Sequence, residues 1–141
     1  MAIDTLLIAL TGEDGHDRLI ETAIDIAGPA GATVVLGTVY DEGTHSSVGK
    51  DLNISSPDDL AERDSTVEAA VTRLEEAGIS TAIRAAVGDG GQPYVMMAEQ
   101  AGADLILIQG GTRSPAGKAV FGSIPQEILL NAPCPVTFVR L

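Results

Sequence analysis

Thr5-Leu6-Leu7-Ile8-Ala9-Leu10, running directly into Thr11-Gly12-Glu13-Asp14-Gly15, is the stretch that decides the fold. A short apolar run closed by a glycine-bearing turn reads as a strand. Its residues do not alternate with polar ones, so neither face of that strand meets water. Strands of this kind belong to parallel sheets covered by helices on both sides. Downstream, Leu19, Ile20, Ala23, Ile24 and Ala27 fall at helical spacing, and Gly28-Pro29 is expected to stop that helix. Ala32 to Tyr40, rich in Val and Thr, reads as the second strand.

The same alternation continues. Asp41 to Ser56 is polar and aperiodic, one long loop. Ser56-Pro57-Asp58-Asp59 is a helix start, with a hydroxyl cap, proline in the first turn and acids at the positive end of the dipole. Leu60, Val67, Val71 and Leu74 give one helix its stripe, and Gly78 ends it. Thr81 to Val87 is a third strand, with Arg84 suggesting a sheet edge. The turn Gly88-Asp89-Gly90-Gly91 leads to a helix from about Pro93 to Ala101, then to the strand Leu105–Ile108. A loop from Gly110 to Gly122, a short helix from Ser123 to Asn131 and the strand Val136–Val139 complete the chain. Five strands alternating with helices, joined by right-handed crossovers, predict one α/β domain over residues 1–141. Ligands of such sheets bind at the carboxyl ends of the strands, where strand order reverses. The loops at Thr11–Gly15, Tyr40–Ser56, Gly88–Gly91 and Gly110–Gly122 are therefore the candidate site.

Composition narrows the function. Aromatic residues are 3% of the 141, so the core is aliphatic. The net charge is −12 and the only lysines are Lys50 and Lys118, a balance that repels nucleic acid. It fits an ordinary acidic cytosolic protein or one adapted to high salt, where counter-ions screen self-repulsion. No apolar run is long enough to span a membrane and no basic-then-apolar leader opens the chain, so a cytoplasmic location is expected. Cys134 is the single cysteine, which precludes an intrachain disulfide.

The Gly110–Gly122 loop carries the chemistry. Its glycines allow backbone N–H groups close to an anion, and Arg113 and Lys118 add positive charge to an otherwise negative chain. Ser123 then opens a helix, with Gln126 placed for a capping box. The same residues would also serve as turn glycines, a cap and partners for surface acids. A Walker A motif fails, since ending it at Gly117-Lys118 puts Thr112 at its first glycine and Ala119 at its hydroxyl. No Gly-x-Gly-x-x-Gly follows the first strand. His16 and His45 are expected at the surface, Cys134 in an apolar niche, Tyr40 and Tyr94 packed with wet hydroxyls, and Asp89 in a turn. With no metal-ligand spacing and no nucleophile–base pair, neither a metal nor an enzymatic activity is expected.

Gly122-Ser123, followed by Asn131-Ala132-Pro133-Cys134-Pro135-Val136 and a final strand, resembles the universal stress protein family. Nucleotide-binding members carry Gly-x2-Gly-x9-Gly-Ser/Thr before this tail. Counting back from Gly122 puts Thr112 at the second glycine and Gln109 at the first, while Gly110 and Gly111 lie out of register. The Asp usual in the family's first turn is Thr11 here. The loop thus looks like a variant branch. The resemblance implies strand order 3-2-1-4-5, a stress-response role and a homodimer through Val136–Val139. It also implies ligand contacts at Ala9, Leu10, Thr11, Val39, Gly88, Gly110, Gly122, Ser123 and Ile124, to which charge adds Arg113 and Lys118. The expected ligand is ATP or another phosphate-bearing molecule; the alternative is a dimeric scaffold that has lost nucleotide binding.

Overall fold

The computed structural model describes residues 2–12, 15–43, 56–110 and 122–140. Within them run β1 (Thr5–Ala9), α1 (Asp17–Ala30), β2 (Thr33–Tyr40), α2 (Pro57–Glu62), α3 (Ser65–Glu76), β3 (Thr81–Val87), α4 (Gln92–Ala101), β4 (Leu105–Gly110), α5 (Ser123–Asn131) and β5 (Val136–Arg140). Every strand pairing is parallel and the order is β3-β2-β1-β4-β5, as the family resemblance implied.

The central strand explains this layering. Leu6, Leu7 and Ile8 are all 0% exposed, so both faces of β1 are covered. Successive side chains point to opposite faces. Leu6, Ile8 and Leu10 join Val34, Leu36 and Leu107 under α1 and α3, whereas Leu7 and Ala9 join Val35, Ile106 and Ile108 under α4 and α5. Two aliphatic cores thus back the sheet, one on each face.

Three helix boundaries differ from expectation. Pro29 does not stop α1, which continues to Ala30 and closes at Gly31 with φ of 67°. Proline is tolerated here because the helix ends one residue later, and the left-handed turn needs glycine. The single helix expected after Ser56 is two. The first, α2, is capped by Ser56, and Asp64 starts α3 by accepting from Thr66 N–H at 2.9 Å. Asp64 is held in place because its other oxygen accepts from the Tyr40 hydroxyl at 2.7 Å. Ser123 is the first residue of α5 and not its cap. Gly122 occupies the cap position, with its carbonyl accepting from Gln126 N–H at 3.2 Å and with no side-chain capping bond.

Candidate functional site

At the carboxyl ends of β1, β2 and β3, three turns leave the sheet side by side. β1 ends in Leu10, Thr11 and Gly12; β2 runs out through Val39 to Asp41; β3 gives way to Gly88, Asp89 and Gly90. With Tyr94 of α4 and Ile124 of α5 they enclose a crevice of about 330 Å³. It adjoins an outer hollow of about 570 Å³ bordered by Asp41, Glu42 and Asp89. Comparable space exists between α1 and α3, about 310 Å³, but there it lies between helix faces. At the carboxyl ends of the strands, by contrast, backbone groups from three turns converge.

Each wall is fixed by a specific bond. The Tyr94 side chain is 3% exposed, and its hydroxyl donates to Leu10 O at 3.0 Å, holding α4 against the exit of β1. Burial pushes the Tyr94 phenol up to about 12. Burial, then the hydrogen bond to Asp64, raises Tyr40 as well. The expected wet hydroxyls are therefore engaged by protein groups. His16 is also not a free surface residue: it is half-buried, and its Nε2 lies 3.0 Å from Thr11 O, closing the β1–α1 turn. Across the crevice, Gly91 N–H donates to Glu127 Oε2 at 3.0 Å, which ties the β3–α4 turn to α5.

Leu10, Thr11, Val39, Gly88 and Ile124 all line the crevice. Ala9 lies below it, fully buried in the sheet. Gly110, Gly122 and Ser123 stand at the β4–α5 side, outside the crevice lining. Gly110 has a φ of 156°, and a side chain there would meet the Phe138 ring at 3.6 Å. Arg113 and Lys118 lie outside the described residues, as does His45. Thr38 and Tyr94 line the crevice from outside the candidate loops, whereas Gly12, Asp41, Asp89 and Gly90 fell within those loops without being named as ligand contacts. Asp89 could have been found, since it sits in the turn after a strand, but the turn-forming habit of Asp hid it.

The electrostatic character is acidic. Asp41 and Asp89 line the crevice, with no Lys or Arg among the lining residues. Among the described residues, no group of three or more His, Cys, Asp or Glu is arranged to hold a metal ion. Cys134 belongs to the other end of the sheet, before β5, where burial and then Asp104 raise its thiol above the ordinary value. No helix among the described residues is long and apolar enough to cross a membrane.

The universal stress protein family model matches residues 2–140. No individual curated protein matches the chain. Among solved structures, a universal stress protein in complex with cAMP aligns with a TM-score of 0.71 and 22% identity, over 99% of this chain and 98% of the other. A universal stress protein from Archaeoglobus fulgidus aligns with 0.74 and 23%, over 96% and 97%. One from Archaeoglobus fulgidus in complex with dAMP aligns with 0.69 and 20%, over 98% of each chain.

Proposed function

The chain belongs to the universal stress protein family, and from that premise we propose that it binds an adenine nucleotide, ATP included, as a stress-response protein without catalytic turnover. One observation carries the reading: Leu10, Thr11, Val39, Gly88 and Ile124, named from the sequence, converge on one crevice at the strand ends. Structural relatives in complex with cAMP and dAMP support the ligand class. The acidic crevice suits the donor-bearing base, while phosphate is assigned to the cationic Gly110–Ser123 segment, a variant of the family's loop. Burial holds Tyr94, the phenol lining the crevice, toward its protonated form, which supports binding over nucleophilic chemistry there. A nucleotide-free scaffold is favoured by Thr11 and by Gly110 and Gly111 lying out of register with the family's motif.

Extraction of small molecules from the purified protein, identified by mass spectrometry, and calorimetric titration with AMP and ATP decide between the two. Arg113→Ala with Lys118→Ala should weaken ATP by several kcal/mol in total, at about 1.5–3 kcal/mol per charge-assisted bond. Ligand-free thermal stability should change little. Equal affinity of the double variant and the natural protein removes the loop from the site.

A further inference from the structure

Gln109 is the penultimate residue of β4 and is 3% exposed. In the pairing of β1 with β4, Ile8 stands opposite Leu107, so Gln109 comes level with Leu10 at the strands' carboxyl ends. Strand order reverses between β1 and β4, which is the switch point at which open α/β sheets receive ligands. Alternation along β4 carries Gln109, after Leu105 and Leu107, to the α1 side of the sheet. There Nε2 donates to Gly15 O at 3.1 Å. A carbonyl only accepts, so this bond fixes which end of the amide faces Gly15 and commits Oε1 to another direction. Oε1 is buried and has no hydrogen-bond partner among the described residues, alone among their side-chain atoms. Buried amide oxygens are nearly always paired, because an unpaired one loses its hydration without replacement.

We propose that Gln109 is a ligand-reading residue whose Oε1 accepts a hydrogen bond from a sugar hydroxyl of the bound nucleotide. The assignment rests on the nucleotide reading above and names the part of the ligand that lies over the switch point. A neutral amide oxygen can only accept, so it disfavours phosphate and suits an O–H or N–H donor. The crevice is lined by the ends of β1, β2 and β3 with Tyr94 and Ile124, and Gln109, outside that lining, stands with Gly110 and Gly122 on the β4 side. The sugar is the part of a nucleotide that joins base to phosphate, so it is the part that crosses from β1 to β4.

The test titrates the natural protein and Gln109→Met with AMP, 2′-deoxy-AMP, 3′-deoxy-AMP and IMP, which lacks the base amino group. The natural protein should lose about 3- to 10-fold in affinity for one of the two deoxy analogues, the size of one net hydrogen bond. Gln109→Met should bind that analogue and AMP alike. If both proteins discriminate among the four ligands identically, the reading role is overturned while nucleotide binding stands. Coupling to IMP alone moves the contact to the base and overturns the sugar assignment. If the natural protein binds none of the four, the nucleotide reading fails and takes this assignment with it. Should Gln109→Met not fold, the Gln109 side-chain amide resonance of the natural protein gives the answer. It should shift with AMP and shift less with the discriminated analogue; no shift with AMP overturns the proposal.

Discussion

A methyl group on Gly91 would sit 2.8 Å from Ile124 O and 3.0 Å from Glu127 Cβ. The first contact is backbone of α5, which cannot rotate away as a flexible side chain can. Gly91→Ala should therefore push α5 from the β3–α4 turn and cost about 1–3 kcal/mol, seen as a lower urea midpoint at unchanged slope. An unchanged midpoint would mean that α5 shifts freely. Tyr94 adds a pH dependence. The unfolded phenol loses its proton near the ordinary 10.0, the folded one only at about 12. Above pH 10 the unfolded state thus binds fewer protons, and stability falls as pH rises. The contribution is intact below about pH 10 and lost across about 10–12, an effect on the order of 2 kcal/mol. Tyr94→Phe should lower stability by about 1 kcal/mol at neutral pH, through the lost bond to Leu10 O. It should also flatten the alkaline decline measured by denaturation between about pH 9 and 12. A decline as steep as in the natural protein would assign the effect to Tyr40, which is shifted in the same direction.

Between α2 and α3 the chain breaks at Arg63-Asp64, and one carboxylate organises the break. Asp64 Oδ1 caps α3 through Thr66 N–H while Oδ2 receives the Tyr40 hydroxyl from the end of β2. Asp64→Ala should cost about 2 kcal/mol, from the lost cap and the unpaired Tyr40 hydroxyl. Asp64→Asn can fill both roles and should cost less than half of that. Equal losses for the two variants, by urea denaturation, would show that negative charge and not capping matters. This break also marks the limit of what sequence discloses. The strand and helix succession was legible because apolar runs and helical stripes are local, and the order followed from resemblance. Leu60, Val67, Val71 and Leu74 look like one continuous stripe because both helices bury that face. What interrupts them is the Asp64 cap on Thr66 N–H, with the other carboxylate oxygen held by Tyr40, 24 residues away. Pro29 misled for a related reason, since its effect depends on how near the helix end already is. In the site, Leu10, Thr11, Val39, Gly88 and Ile124 were legible from motif position. Tyr94 was not, because its role comes from a partner at Leu10, 84 residues distant.

The two edges of the sheet are treated differently. On β3 the edge is blunted: Asp58 Oδ1 accepts from Ala85 N–H at 2.8 Å, and α2 packs along the strand. β5 forms the other edge, and among the described residues no further strand pairs with it. An apolar edge left open invites another chain, and a second copy related by a two-fold axis satisfies it symmetrically. Val136 and Phe138 pack against the α4–α5 core, so lysine at those positions would disturb folding as well as any interface. Oligomeric mass is the cleaner readout. Each protomer carries −12, so pairing brings like charges together, a cost that falls as the screening length shortens from about 10 Å at 0.1 M salt to about 3 Å at 1 M. We propose a homodimer through β5 whose stability rises with salt. Light scattering should give twice the 14.4 kDa chain mass, with the dimer persisting to lower protein concentration at 1 M NaCl than at 0.1 M. A mass of one chain at 1 M NaCl and high micromolar protein would overturn the dimer, because screening then leaves electrostatics no part in keeping the open edges apart.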